Sequence, residues 1–544
     1  MEKTKDEVAH HENDDRKQSS DAGGEIINVA NADFAGAIGL NKPNPWGRGY
    51  LQLYLCCAAI YLCSTMNGYD GSLMGSINAL PEYQKYYGLP ENGASSTGIV
   101  FAIFNVGQMT GALFIWVADW KGRKLPVFIG CAGVLVGTVV TATAPTLGAF
   151  VGGRFLLSFF STWATTCAPM WVVELSPPLY RGTVAGLYNT LYYMGSIIAT
   201  FAVYGANIHL KNSNLNWRLP LWLQMLCPGF VCLVIWFLPE SPRYLIAKDR
   251  QEEARAFLTK YHANGDANHP IVDLEMKEIN ASLSESPMTN FRNFFDLRVL
   301  FKSRSRRYRT ALNFSFSWFG QFSGNNVISY YLPILIAGVG ITNTNTVLLL
   351  NAVYAITGWI AATAGARFSD IFGRRKMLLG ATTGMIISLT ITAGATAGFV
   401  NNGSKASSDV SIAFIYIFGF IFAFAYTSMQ PIYPAEVMSN DMRAKGMFVF
   451  QFTAGLAGFV NTFAAPIALQ NIGFWFYVFF VFWDVFEAIV IYFFYVETKG
   501  RTLEELDEVF LAKNPRKEST RTVKVKKIMV EDSKGGARMD VEAV

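Results

Sequence analysis

Apolar runs long enough to cross a membrane as helices recur along the chain, near 51–77, 96–118, 125–144, 148–172, 183–206, 219–238, 310–336, 346–368, 376–398, 410–434, 446–468 and 473–496. They form two sets of six, 51–238 and 310–496, separated by a polar stretch over 239–309. The pattern predicts an all-α polytopic membrane protein with twelve transmembrane helices in two six-helix halves. The polar ends, 1–50 and 497–544, read as tails, the first of them disordered and without the apolar core of a cleavable signal peptide. In the centre, Glu252, Glu253, Ala254, Arg255, Phe257 and Leu258 follow a helical period, as do Leu274, Met276, Ile279 and Leu283. Neither run has spanning length. Short amphipathic helices under the bundle fit this stretch, whereas about 70 residues this poor in apolar side chains bury too little for a separate globular core.

Loop charges set the orientation. The loops after spans 2, 4, 8 and 10 carry Lys121, Arg123 and Lys124; Arg181; Arg374, Arg375 and Lys376; and Arg443 and Lys445. The centre adds Lys302, Arg304, Arg306, Arg307 and Arg309, while the alternate loops are poor in basic residues. The positive-inside rule therefore predicts both termini and the central stretch in the cytoplasm. Asn402-Gly-Ser404 is then expected outside, open to glycosylation, and Asn280-Ala-Ser282 inside.

Composition agrees with this plan: 51% of residues are hydrophobic, and the 43 phenylalanines fill the apolar runs. The net charge of +5 sits mostly in short loops, so it asks for no nucleic-acid partner. All seven cysteines fall inside apolar runs without zinc-site spacing, so neither a metal nor a disulfide frame is expected. No nucleotide-binding glycine loop and no Ser/His/Asp grouping suggests catalysis, so the chain reads as a non-enzyme with no cofactor.

Two loop motifs are duplicated. Asp119-Trp-Lys-Gly-Arg-Lys124 follows span 2, and Asp370-Ile-Phe-Gly-Arg-Arg375 follows span 8. Glu174 precedes Arg181 after span 4 by 181 − 174 = 7 residues, and Glu436 precedes Arg443 after span 10 by 443 − 436 = 7. Repetition in the same order indicates halves related by an axis along the membrane normal, with a substrate site between them. Asp119, Arg123, Glu174, Arg181, Asp370, Arg374, Glu436 and Arg443 are thus candidates for gating pairs that form and break as the halves rock.

Within the spans, Asp70 lies among Gly68, Gly71 and Gly75, a smooth face for close helix packing. An ionised carboxylate there costs at least about 2.5–3.5 kcal/mol unless it is paired. Arg154 in span 4 is its natural partner. Span 7 carries Gln321, Asn325, Asn326 and Tyr330, groups that both donate and accept hydrogen bonds as sugar hydroxyls do. Gly320 and Gly324 allow local unwinding there.

Pro239-Glu-Ser-Pro-Arg-Tyr-Leu245, Glu497-Thr-Lys-Gly-Arg-Thr-Leu-Glu-Glu505 and the duplicated loops resemble the sugar porter family of the major facilitator superfamily, over about residues 50–512. The stretches 61–75, 319–326 and Tyr261-His-Ala-Asn-Gly-Asp266 are most similar to the fungal lactose permease branch, which includes cellobiose and cellodextrin carriers. The resemblance implies alternating access and sugar uptake across the plasma membrane. It makes Asp70 the protonation site and Arg154 its modulator, and it places Asn189, Gln321 and Asn326 against the sugar. In span 10, Thr427-Ser-Met-Gln-Pro431 stands where hexose carriers have Gly-Pro-x-x-Trp, so Pro431 replaces the pocket tryptophan, with Gln430 and Tyr433 beside it. Asn351 and Asn461 are further pocket candidates. The expectation is a monomeric carrier whose partners are sugar, protons and the lipid bilayer, importing a disaccharide such as lactose or cellobiose with protons. A facilitative hexose or pentose uniporter, a sugar sensor and a small-metabolite exporter are the alternatives.

Overall fold

A computed structural model describes residues 26–27, 43–89, 95–177, 180–211, 213–285, 294–341, 343–430, 432–439, 442–499, 501, 503–520, 525–531 and 537–543. Helices occupy all twelve apolar runs. Spans 1 to 5 are Arg48–Ile77, Ser95–Ala112, Lys124–Thr143, Leu147–Leu175 and Arg181–His209. Span 6 is built from Leu215–Leu223, Leu226–Val234 and a closing turn, Ile235–Phe237. Span 7 is two helices, Arg304–Phe322 and Asn325–Gly338, and spans 8 and 9 are Thr344–Phe372 and Arg374–Asn402. Span 10, Lys405–Phe422, runs into a π-helical turn, Ala423–Thr427. Spans 11 and 12 are Arg443–Ile472 and Trp475–Phe494.

Among the described residues, ten of these helices are long and apolar enough to cross a membrane on their own. The second run falls short because the chain leaves the helix for turns over 113–116. The seventh is interrupted at Ser323 and Gly324, where Gly324 adopts φ +88°, a conformation glycine takes without strain. The break sits inside the polar section, so it removes helical hydrogen bonds next to the side chains suited to a ligand.

The halves meet through span 2 against span 11 and span 5 against span 8. Exchanging the halves maps 2 to 8 and 11 to 5, so the two contacts are one contact used twice. That is the arrangement expected of parallel repeats about an axis along the membrane normal. At the first crossing Gly458 faces Asn105 so closely that a Cβ would collide with the amide.

The polar centre contributes helices Pro242–Ala247, Gln251–Tyr261 and Pro270–Glu285, and a turn at Leu297–Phe301. Ala254, Phe257 and Leu258 are buried, whereas Glu252 and Glu253 are exposed, which is the amphipathic division its spacing implies. The tails are not wholly irregular. Strands Ile26–Ile27, Val525–Glu531 and Ala537–Ala543 pair antiparallel in that order, the first two carrying Ile26, Ile27, Val525, Ile528 and Val530, whose β-branched side chains favour strand.

Candidate functional site

Asp70 is 3% exposed, deep in span 1. Its Oδ1 accepts from Arg154 Nη1, and Arg154 is itself 1% exposed. Gln224, in the break of span 6, donates Nε2 to the same oxygen at 3.0 Å. Two charges that would each be costly alone are thus buried as a pair with an amide beside them. The Arg154 guanidinium lies 5.0 Å from the centre of the Phe104 ring. Phe104 is a wall of the central cavity, as are Gly71 and Ser72, the residues that follow Asp70. The ion pair therefore stands directly behind the cavity wall.

The cavity, of about 210 Å³, takes its lining from both halves. Among the described lining residues none is charged. Asn67, Gln108, Asn189, Gln321, Asn325, Asn326, Asn351, Gln430 and Gln451 supply amides, and Tyr188, Tyr192, Tyr193 and Tyr354 supply aromatic faces. Several amides are already oriented. Asn326 Nδ2 donates to Gln321 Oε1 at 3.0 Å, across the break in span 7. Gln108 donates to Gln451 at 2.9 Å, joining span 2 to span 11, and Asn351 donates to Ser76 Oγ at 2.9 Å, joining span 8 to span 1. Asn189 Nδ2 donates to the Thr427 carbonyl, joining span 5 to the π-helical turn of span 10.

Of the residues singled out from sequence, Asn189, Gln321, Asn325, Asn326, Asn351 and Gln430 are brought together around this space. Asn461 stands just behind it, donating to the backbone carbonyl of Gln321 at 3.0 Å. Tyr433 lies elsewhere: its ring stacks on Tyr495 at 5.5 Å, and its hydroxyl donates to the Val496 carbonyl at 3.3 Å. The side chain of Tyr330, and Pro431 altogether, lie outside the described residues. Sequence reasoning missed Asn67, Gln108, Gln224 and Gln451. The signal was present, because each is an amide set in an apolar run, and the logic that singled out Asp70 applies to them in weaker form.

The duplicated loops build two matching clusters. Arg123 reaches Glu174 through Nη2 at 2.7 Å and Nε at 3.0 Å, Asp119 at 2.8 Å and the Ala118 carbonyl at 2.6 Å. Burial opposes the charge of Arg123, but Glu174 and Asp119 hold the guanidinium's pKa well above its ordinary value. Arg374 likewise reaches Glu436 at 2.9 and 3.2 Å and the Ser369 carbonyl at 3.1 Å. Each cluster has a further acid on the backbone of its arginine. Glu240 accepts from the Arg123 backbone N–H at 3.1 Å, and Glu497 from that of Arg374 at 2.8 Å. Both acids close over a glycine of positive φ, Gly122 and Gly373, where a Cβ would press on the carboxylate. The motif acids Glu240 and Glu497 are therefore part of the repeat. The side chains of Arg181 and Asp370 lie outside the described residues, and Arg443 opens span 11.

A family model described as "Sugar (and other) transporter" matches residues 56–510. The chain belongs to the sugar transporter family. Relatives of the transporter include a quinate permease of Neurospora terricola, 25% identical over 493 residues, which cover 87% of this chain and 91% of that protein. The sugar transporter STL1 of Saccharomyces cerevisiae is 28% identical, with 88% and 85% covered, and a high-affinity glucose transporter of Kluyveromyces lactis is 28% identical, with 86% and 86% covered. Among solved structures, the transporter superposes on the proton:xylose symporter XylE bound to 6-bromo-6-deoxy-D-glucose with TM-score 0.72 at 21% identity, over 84% of this chain and 99% of that one. That likeness establishes the major facilitator fold. The transporter is thus a multi-pass membrane carrier and not an enzyme.

Proposed function

We propose that the transporter imports a neutral sugar together with a proton across the plasma membrane, by alternating access, with both termini in the cytoplasm. The observation that carries this reading is the buried Asp70–Arg154 pair one residue behind a cavity lined by uncharged amides and tyrosines. Amides match hydroxyls in either hydrogen-bonding sense, and tyrosine rings cover the apolar faces of a pyranose. An anion such as quinate would find no basic side chain among the described lining residues, which favours a neutral substrate. Protonation of Asp70 dissolves its ion pair with Arg154. The acid's charge then decides how tightly spans 1 and 4 are held beside the sugar.

The narrower reading is a β-linked disaccharide of the lactose or cellobiose type. It is supported by Pro431, which stands in the sequence where the resemblance has the pocket tryptophan, directly after Gln430, a residue of the cavity wall. The cavity is below the ~300–1,000 Å³ usual for sites of drug-sized ligands. A two-ring sugar therefore loads when the halves stand further apart than here. A facilitative hexose carrier is the second reading, favoured by relatives named as glucose transporters. Uptake of labelled lactose, cellobiose, glucose, galactose, xylose, arabinose and quinate by a carrier-deficient cell, with external pH recorded, tests all of these. Accumulation of a neutral sugar with alkalinisation of the medium is expected. Uptake confined to quinate, or sugar entry without proton movement, sinks the proposal.

A further inference from the structure

Beyond span 12 the chain forms helices Leu503–Leu511 and Pro515–Ser519. They bring Arg516 against the last turn of span 12, where Arg375 arrives from the start of span 9. Arg375 Nη2 donates to the Tyr492 carbonyl at 2.7 Å, and Arg516 Nη1 donates to the same oxygen at 3.1 Å. Their guanidinium carbons lie 5.6 and 5.8 Å from the centre of the Tyr492 ring. Arg304, the first residue of span 7, reaches the same corner, where its Nη2 donates to the Lys513 carbonyl at 3.0 Å. One turn on, Tyr308 donates its hydroxyl to the Phe494 carbonyl at 2.5 Å, and the charges of all three arginines act on that hydroxyl.

The cluster is unbalanced. Arg309 and Arg374 at this end of the bundle pair with Asp507 and Glu436, but among the described residues Arg304, Arg375 and Arg516 pair with no carboxylate. Two guanidiniums on one carbonyl oxygen stand close enough to repel each other. Finishing the helix asks for less, since one donor serves the carbonyl and one cation complements the C-terminal end of the dipole. A guanidinium has five N–H donors, yet each of these side chains meets a single protein acceptor, and Arg375 Nε is buried without one. Three forks with donors to spare suit a phosphate, which accepts bidentate bonds and supplies the missing negative charge.

We propose that Arg304, Arg375 and Arg516 bind the phosphate headgroup of an anionic phospholipid whose acyl chains lie along span 12. Two features point to a lipid over a free anion. Tyr492, Phe493 and Phe494 are exposed beside the arginines at the end of a spanning helix, where aromatic side chains sit level with headgroups. Phe482, Phe486, Ile489 and Phe493 are exposed at four- and three-residue spacing, an apolar stripe that leads up to the cluster. The headgroup screens the arginines and ties Pro515–Ser519 to spans 7 and 9. The orientation proposed above puts this corner in the cytoplasmic leaflet, and only the choice of leaflet rests on that reading.

The full-length chain, reconstituted in phosphatidylcholine vesicles with phosphatidylserine in both leaflets and then extracted into mild detergent, tests the site by native mass spectrometry. Wild type should retain phosphatidylserine in preference to phosphatidylcholine, and inorganic phosphate should leave that lipid bound. Replacing two arginines together, Arg375→Gln with Arg516→Gln, should weaken the retention about tenfold or more. Lys121→Gln, which removes an exposed charge from the other half, should leave it intact. Phosphatidylserine should raise the thermal midpoint of the wild type and not that of the double variant. Equal retention of the two lipids by the wild type, displacement by inorganic phosphate, or a double variant that holds phosphatidylserine like the wild type overturns the proposal. The wild-type arms decide alone should the double variant unfold. Both leaflets carry the probe, so a reversed topology would change the leaflet and leave these results standing.

Discussion

Asn189 donates its side-chain amide to the backbone carbonyl of Thr427, so a hydrogen bond crosses from span 5 of one half to span 10 of the other at the cavity wall. Thr427 ends the π-helical turn, a distortion that recurs at functional sites because it shifts the register of the helix beyond it. The amide keeps a carbonyl oxygen that can accept from a ligand. Asn189→Ala removes the cross-half bond and, on the proposed function, a sugar contact. Labelled-sugar uptake should show KM raised about fivefold to 150-fold, from ~1–3 kcal/mol, with surface protein unchanged. An unchanged KM would reduce Asn189 to a spacer.

Gln321 and Asn326 should act as a unit. Asn326 holds the Gln321 amide, and Asn461 holds the Gln321 backbone, so replacing either neighbour frees the glutamine to turn. Gln321→Ala and Asn326→Ala should each raise KM, and the double variant should lose less than the product of the two effects. Unchanged kinetics in both single variants would make these amides interhelical glue.

Arg123 and Asp119 should separate stability from turnover. Arg123→Ala leaves Glu174 buried without its partner, a loss of ~3–5 kcal/mol that should lower the thermal midpoint in detergent. Asp119→Asn leaves Arg123 on Glu174 and, if the cluster gates as proposed, should instead slow turnover more than it weakens sugar binding, because none of its residues lines the cavity. A collapse of equilibrium affinity in Asp119→Asn with an unchanged exchange rate would refute the gating role.

The architecture was legible because a bilayer demands long apolar runs, and a duplicated half repeats its loop chemistry. Asp70 and Arg154 were legible as a pair because each charge is isolated in an apolar run and only the other can offset it. Amides carry a weaker signal. Gln108 and Gln451 are separated by most of the chain, and nothing along the sequence says that they meet. Tyr433 shows the converse error: sequence neighbourhood placed it beside Gln430, but the helix ends in a turn at Gln430, and Tyr433 opens a new short helix and stacks on Tyr495.

Topology can be checked by glycosylation. Asn402 is exposed at the end of span 9, and Asn280 is exposed on Pro270–Glu285, so accessibility does not distinguish them. Only the side of the membrane does. A glycosidase-sensitive mass shift should vanish in Asn402→Gln and persist in Asn280→Gln. A glycan on Asn280 would invert the orientation drawn from the loop charges.

The coupling role proposed for Asp70 has the most demanding test. Its carboxylate is held by Arg154 and Gln224 on one oxygen, so the charged acid fixes spans 1, 4 and 6 around a single atom. Asp70→Asn makes that point permanently neutral. The ion pair is lost and Arg154 stays buried, so surface protein must be quantified and Asp70→Glu, which keeps the charge, measured beside it. With protein at the membrane, Asp70→Asn should no longer accumulate sugar against a gradient, while downhill exchange continues. The exchange that remains should be less dependent on external pH. Asp70→Glu should retain some accumulation, because it can still take up and release a proton. An Asp70→Asn variant that concentrates sugar and still acidifies the cell interior on sugar addition would put the proton site elsewhere, and the buried pair would then be no more than a clasp between spans.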